Sequence, residues 1–172
     1  VTFTLVQSPD YAPDTWKRLL EMTVSANQSG AQLFPQVPSR PIGLASGLSG
    51  YHAFQRRPTY MKLASLSLAD RAREMSKPEI KSAIMSESDV PVDQPGSMAN
   101  MYRLFQTAAP FLYPLADPVD YEPDPSLMLG ARAATSGQDI LSVLYDYLLE
   151  QDGAAMCALM GGANVHESQE VL

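Results

Sequence analysis

The stretch PDTWKRLLEMTVSANQSGAQLFPQV, residues 13–37, is typical of a helix that leads into a strand. Pro13 suits a first helical turn, Asp14 complements the positive end of the helix dipole, and Gly30 is a natural stop. An apolar stripe at helical spacing follows the same segment; its members are Trp16, Leu19, Leu20, Thr23 and Val24. We therefore predict a helix over 13–30 that packs through this stripe.

Strand-like segments flank the predicted helix on both sides. Residues 1–7, VTFTLVQ, are rich in β-branched and aromatic side chains, and residues 31–37 form a second apolar run. A strand, a helix and a strand within 40 residues make a βαβ unit. We expect its two strands to be parallel and its crossover to be right-handed, so the predicted fold class is α/β.

Composition and charge limit the classes of partner. The chain has 172 residues, 45% of them hydrophobic, which is enough for one globular domain with a sizeable core. Because 12 Lys and Arg face 19 Asp and Glu, the net charge is −7, which argues against nucleic acid and against anionic membrane surfaces. No apolar stretch reaches the roughly 18 residues of a spanning helix, and no signal peptide is visible.

The single cysteine and the first residue indicate the cellular compartment and the extent of the chain. Cys157 cannot form an internal disulfide, which suits a reducing compartment, so we expect a cytoplasmic protein. In its context AAMCALM, Cys157 is expected to be a small buried hydrophobe and not a nucleophile. The chain opens inside a strand-like run without an initiator Met, which we interpret as a segment excised from a longer protein.

After residue 40 the pattern changes from βαβ to loops and short helices. We predict a long ordered loop over 41–60 and a turn-rich connector over 88–97. Helices are predicted in 67–87 (two short ones), 98–112, 126–137 and 138–153. Ser67 and Pro78 are expected to start the two short helices, and Ser136 with Asp139 resembles a capping box. Residues 154–167 favour a third strand over a helix.

The chain offers few groups for metal or nucleophilic chemistry. His52 and His166 are its only histidines, and no HxH, HExxH or CxxC motif is present. His52 lies beside aromatics and two arginines in GYHAFQRRPTY and is expected to be a packed histidine. The acidic segment LADPVDYEPDPS lacks the loop pattern of an EF-hand, so we expect it to be solvated. We therefore predict no complete catalytic set and no metal site from these residues alone.

Substrate contacts are predicted at the ends of the two strands. Catalytic groups of barrel enzymes lie at the carboxyl ends of parallel strands, and here those ends carry Gln7, Gln36 and Arg40. Arg40 suits a substrate carboxylate, because a guanidinium pairs with it through two hydrogen bonds. A surface ion pair or a brace for the loop is the alternative role of Arg40, and the residues alone leave both open.

The order of several segments resembles the later part of the D-aminoacylase type of amidohydrolases, the N-acyl-D-amino-acid deacylases. The resemblance covers nearly all of the chain through diffuse patterns. Its segments are VTFTLVQ, PDTWKRLLEMTVSANQSGAQLFPQVPSRPIG, DYEPDP, ARAATSGQDILSVLYDYLLEQDG and ALMGGANVHESQEVL.

The resemblance implies a metal-dependent (β/α)₈ TIM barrel in which a zinc-activated water attacks an amide of an N-acyl amino acid. Residues 1–7 and 31–37 would correspond to the sixth and seventh barrel strands. Residues 1–40 would then be a barrel βαβ unit, 41–125 a loop-rich helical insertion, and 126–172 helices that return to the barrel. The remainder of the barrel would be the main partner, and the open strand edges would favour homo-oligomers.

The chain departs from the family pattern at the metal ligands. Leu5 and Gln7 align with a ligand histidine and a lysine of the sixth strand, and the other ligands would lie outside these 172 residues. The resemblance therefore implies zinc in the full-length enzyme, with none bound to this segment and no activity of the segment alone. Two alternatives remain: a barrel relative that has lost its metal, and a non-catalytic helical interaction module.

Overall fold

The computed structural model describes residues 1–5, 14–37, 42–94, 96–120 and 123–161. The fold is mixed α/β, with about half of the described residues in helices. The chain forms two compact units, one from Val1–Leu44 with the end of the last strand from Met160, the other from Ala45–Leu159. The predicted division at residues 40 and 125 stays a prediction.

The first unit contains the predicted strand, helix and strand. They are β1 (Thr2–Thr4), α1 (Thr15–Gln28) and β2 (Phe34–Gln36). β1 and β2 pair in parallel, as predicted. The paired positions are Thr2 with Phe34, Phe3 with Pro35, and Thr4 with Gln36. The end of α1 is the predicted one, because Gly30 takes a φ of +98° there, a conformation that glycine adopts without strain.

The apolar stripe of α1 is only partly buried, contrary to the prediction. Thr23 is buried, whereas Leu19 and Leu20 are 40% and 38% exposed and Val24 is 49% exposed. The lengths of the elements explain this difference. A 14-residue helix is about 21 Å long, whereas a three-residue strand spans about 10 Å, so the two strands cannot cover the helix.

The β1–β2 sheet has one face that is more buried than the other. Phe3 and Pro35, opposite each other in the register, are half-buried. The alternate positions Thr2, Thr4, Phe34 and Gln36 are exposed. Because side chains alternate along a strand, these four residues share one face of the sheet. We call this the open face.

The second unit is mainly helical and contains a three-stranded sheet. Its helices are α2 (Pro58–Leu63), α3 (Leu68–Met75), α4 (Pro78–Ser86), α5 (Met101–Thr107), α6 (Leu129–Ser136) and α7 (Ile140–Leu149). Short 3-10 turns cover Met98–Asn100, Ala109–Phe111, Pro125–Leu127 and Glu150–Gly153. The strands are β3 (Ile42–Gly47), β4 (Leu112–Pro114) and β5 (Met156–Gly161), in the order β3-β5-β4, with β4 and β5 antiparallel.

One hydrophobic core joins the helices of the second unit. The largest apolar side chains that are almost fully buried in it are Leu48, Phe54, Met75, Ile84, Phe105, Leu112, Leu129, Leu144, Tyr145 and Leu148. In α7, Leu144 and Leu148 lie one turn apart, the spacing that places two side chains on the same face of a helix. None of the helices in the described ranges has the length and apolar character needed to cross a membrane.

Local capping signals in the second unit are confirmed in part. The hydroxyl of Ser67 accepts a hydrogen bond from the N–H of Asp70 at 3.2 Å, and Pro78 is the first residue of α4. At α7, Asp139 itself is the cap, since its Oδ2 accepts from the N–H of Ser142 at 3.0 Å. The predicted capping box with Ser136 is therefore wrong, because a single carboxylate provides the cap.

The predicted loop over 41–60 contains a strand and the start of a helix. β3 was missed because its two glycines are typical of loops. At Gly47 the glycine allows close packing, since a Cβ there would lie 3.2 Å from the carbonyl oxygen of Ala155. The predicted strand in 154–167 is confirmed by β5.

Candidate functional site

The carboxyl ends of β1 and β2 form the candidate site of the first unit. Gln36 is the last residue of β2 and lies opposite Thr4, the last residue of β1. The N–H of Leu5 donates to the carbonyl oxygen of Gln36 at 2.9 Å, so the two strands leave the sheet at the same edge. This edge is where parallel α/β sheets place their ligands.

Of the three predicted substrate contacts, Gln36 alone lies within the described residues. Its side chain is exposed on the open face. Gln7 and Arg40 lie outside the described residues. A glutamine amide offers two donors and one acceptor, which suits a polar group of a substrate but not proton transfer.

The described residues do not provide a zinc site. Leu5, which the resemblance aligns with a ligand histidine, is 2% exposed, and its side chain has no atom that binds a metal. In the described ranges no group of three or more His, Cys, Asp or Glu is placed to hold a metal ion. We therefore derive no step of a reaction through zinc from this chain.

The second unit contains a buried histidine, His52, as the sequence predicted. Its ring is fully buried and lies edge-on to the ring of Tyr60, with 4.4 Å between centroids. Nδ1 accepts the N–H of Phe54 at 3.2 Å, which places the ring proton on Nε2. Nε2 finds no hydrogen-bond partner among the described residues. Burial, together with the charge of Arg71, lowers the pKa of His52 to about 3.

Arg71 of α3 holds the chain around this histidine. Its Nη1 donates to the carbonyl oxygen of Leu48 at 2.7 Å and to the hydroxyl of Tyr60 at 3.0 Å. Its Nη2 donates to the carbonyl oxygens of Ala64 and Leu66 at 2.8 and 3.1 Å. These four hydrogen bonds occupy both terminal nitrogens of the guanidinium, so few of its N–H donors are left for a ligand.

The turn that contains His52 is fastened to a distant segment. Residues 52–57 contact residues 89–91, and we call this arrangement the clasp. Arg56 and Val90 exchange a backbone hydrogen bond of 2.8 Å and a side-chain one of 3.0 Å from Nε to the carbonyl oxygen. Arg57 and Asp89 lie 3.1 Å apart as a largely buried ion pair. Gln106 joins both sides, since its Nε2 donates to the carbonyl oxygen of Ala53 and to Asp89.

The Arg57–Asp89 pair is electrostatic and poorly aligned for hydrogen bonding. The side chains are 12% and 17% exposed, and Nε and Oδ1 make no well-aligned hydrogen bond to each other or to other described residues. A buried ion pair adds little net stability, because the loss of hydration offsets the attraction of the charges. The clasp is a contact between two segments that are distant in sequence.

Cys157 is confirmed as a small buried residue. It is fully buried in β5, and its thiol donates to the carbonyl oxygen of Ser46 at 3.6 Å. Burial raises the pKa of this thiol to about 11, which leaves it protonated at neutral pH. Cys157 is therefore unsuited to nucleophilic chemistry.

Sequence reasoning missed the partners of the buried polar groups. Arg71 is 19 positions from His52, and Asp89 and Gln106 are 32 and 49 positions from Arg57. No short motif links residues at such separations, because the helical packing of the second unit brings them together. His166, the second histidine, lies outside the described residues.

Comparisons with known proteins found no relative. No protein-family model matches the chain, and no curated protein and no solved structure matches it either.

Proposed function

We propose that this chain is a segment of a metal-dependent amidohydrolase that hydrolyses a non-peptide amide bond, that of an N-acyl-D-amino acid. In this proposal residues 1–40 are a βαβ unit of a (β/α)₈ barrel, residues 41–125 are a loop-rich helical insertion, and residues 126–172 are helices that return to the barrel. The described residues form no zinc site, and the remainder of the barrel would supply it.

The parallel pairing of β1 and β2 is the observation that carries the proposal. Parallel sheets occur with both faces covered, and a two-stranded sheet is marginal by itself. Here the open face exposes Phe34 at 54%, and α1 exposes Leu19, Leu20 and Val24. Neighbouring strands and helices of a barrel would cover both surfaces.

The order of the two units along the chain is compatible with the proposal. The second unit, Ala45–Leu159, interrupts the first in the sequence, since the first contains Val1–Leu44 and resumes at Met160. Long insertions after barrel strands are a common way to build the rim of an active site.

The proposed substrate contacts follow from the strand ends. We propose Gln36, Gln7 and Arg40 as the residues that contact the substrate. Arg40 would pair with the carboxylate of the N-acyl amino acid, and Gln36 would hydrogen-bond its polar groups. The zinc of the full enzyme would supply an activated water and polarise the amide. Cys157, a single buried thiol, is compatible with a cytoplasmic enzyme.

A barrel relative without metal is the second candidate, and Leu5 favours it. A buried leucine stands where the resemblance implies a ligand histidine. The two candidates differ in metal content and in activity, and they share the fold.

The test uses the full-length protein that contains this segment. Bound zinc is measured by elemental analysis, and hydrolysis of N-acetyl-D- and N-acetyl-L-amino acids is followed by release of the free amine. The proposal predicts bound zinc and release from the D-substrate. Gln36→Ala should raise KM about tenfold or more, whereas the matched surface variant Gln28→Ala should leave it unchanged. Zinc-free protein without hydrolysis favours the relative that lost its metal.

A further inference from the structure

The buried turn around His52 combines three features that no role proposed so far uses. The ring is fully buried, its Nδ1 accepts the N–H of Phe54, and its Nε2 has no hydrogen-bond partner among the described residues. A side chain that accepts the N–H two residues later closes the same turn as an Asx residue does. The turn is therefore held by a lone pair that a proton can occupy.

The surroundings of His52 oppose a positive charge. Among the described residues, Tyr60 from α2 contacts the ring, and the charge of Arg71 from α3 acts on it. Burial raises the pKa of Tyr60, so its hydroxyl is neutral, and Arg71 is a cation. A protonated His52 would thus lie near a like charge, and its own N–H would point at the N–H of Phe54.

The same turn forms one half of the clasp. Arg56 and Val90 hydrogen-bond in both directions, Arg57 pairs with Asp89, and Gln106 bonds to the carbonyl oxygen of Ala53. Three of these residues, Ala53, Arg56 and Arg57, lie within five positions of His52 in the sequence. A change in the backbone of residues 52–54 therefore acts directly on the contacts to residues 89–91.

We infer that His52 is an acid-sensitive lock on the clasp, such that protonation of its Nδ1 from solvent releases residues 89–91 from the 52–57 turn. In the closed clasp the ring is neutral and accepts from Phe54. In the open clasp the ring is in contact with water, and it binds a proton when the pH is below the ordinary pKa of histidine. Acid therefore favours the open clasp. This inference is independent of the proposed hydrolase activity.

The test is hydrogen exchange of the 172-residue chain between pH 4 and pH 6, corrected for the intrinsic exchange rate at each pH. The probes are the amides of Phe54 and Val90, which donate to His52 and to Arg56. If His52 binds a proton only in the open clasp, the equilibrium constant for opening rises about tenfold for each unit that the pH falls below about 6.5. Both probes should show that rise.

Two variants separate the lock from ordinary acid unfolding. In His52→Asn the Oδ1 can accept from Phe54 without titrating, and in His52→Phe the ring volume is kept without the acceptor. Both variants should lose the tenfold dependence at the two probes. The inference is overturned if the variants keep the slope of the natural chain, or if the two probes open only together with the core amides of α7.

Discussion

Asn27 and Leu33 are joined by two hydrogen bonds that close the connection between α1 and β2. The side-chain Nδ2 of Asn27 donates to the carbonyl oxygen of Leu33 at 2.9 Å, and Oδ1 accepts the N–H of Leu33 at 2.8 Å. Asn27 thus pairs with both backbone groups of Leu33, as a residue of a neighbouring strand would. Leu33 directly precedes β2, so this contact positions the start of the strand.

Asn27→Ala should destabilise the first unit by about 1–2 kcal/mol, because both backbone groups of Leu33 lose their partners. Trp16, the single tryptophan, lies in α1, so its fluorescence in a urea titration reports this unit. Gln28→Ala, one residue further along α1, is the matched control and should change the free energy of unfolding by less than about 0.5 kcal/mol. Equal effects of the two variants would contradict the role of Asn27.

Gly130→Ala should destabilise the second unit by about 2 kcal/mol or more, although alanine usually stabilises a helix by about 1 kcal/mol relative to glycine. A Cβ at Gly130 would lie 2.6 Å from the carbonyl oxygen of Pro110, a backbone atom that cannot move alone. Thermal melting followed by far-ultraviolet circular dichroism measures the effect. Gly50→Ala, where a Cβ has no atom within 4 Å, is the control. A Gly130→Ala protein as stable as the Gly50→Ala protein would show that α6 does not pack against Pro110.

Tyr145→Phe should cost about 1–3 kcal/mol of stability, because it leaves the carbonyl oxygen of Met75 without its donor. The hydroxyl of Tyr145 donates to this oxygen at 2.9 Å inside the core. Tyr51→Phe, at an exposed position, should be neutral. Both are measured by urea unfolding with far-ultraviolet circular dichroism. A neutral Tyr145→Phe would mean that the contact adds nothing to the core.

Cys157 should react at least about a hundredfold more slowly with iodoacetamide at pH 8 in the folded chain than in urea. Its pKa is raised to about 11, chiefly by burial, so the reactive thiolate is scarce below that pH. Mass spectrometry of timed samples gives both rates. Equal rates with and without urea would contradict the burial of β5.

The sequence predicts the elements whose signals are local. α3 begins where Ser67 can cap it, α4 begins at Pro78, and α1 ends at Gly30, because each signal acts within one helical turn. The sequence pattern did not predict β3, since Gly47 is typical of loops and its close approach to Ala155 involves a residue distant in sequence. Packing between distant segments determines where such a glycine is found, and no local sequence pattern predicts that packing.

In the candidate site, too, the sequence predicts local features but not the packing between distant segments. Gln36 was expected at the end of a strand, and β2 ends there. The exposure of Leu19 and Leu20 could not be predicted. The spacing of apolar residues predicts an apolar face of α1 but does not show which segment packs against it. The electrostatic effect of Arg71 on His52 likewise depends on the packing of α3, because the two residues are distant in sequence.

The most direct test of the proposed barrel is an experimental structure of the full-length protein that contains this segment. The account predicts a further parallel strand beside β1 and another beside β2, as parts of an eight-stranded ring with Gln36 at its mouth. A sheet that ends at β1 and β2, or an antiparallel neighbour to either strand, would contradict it.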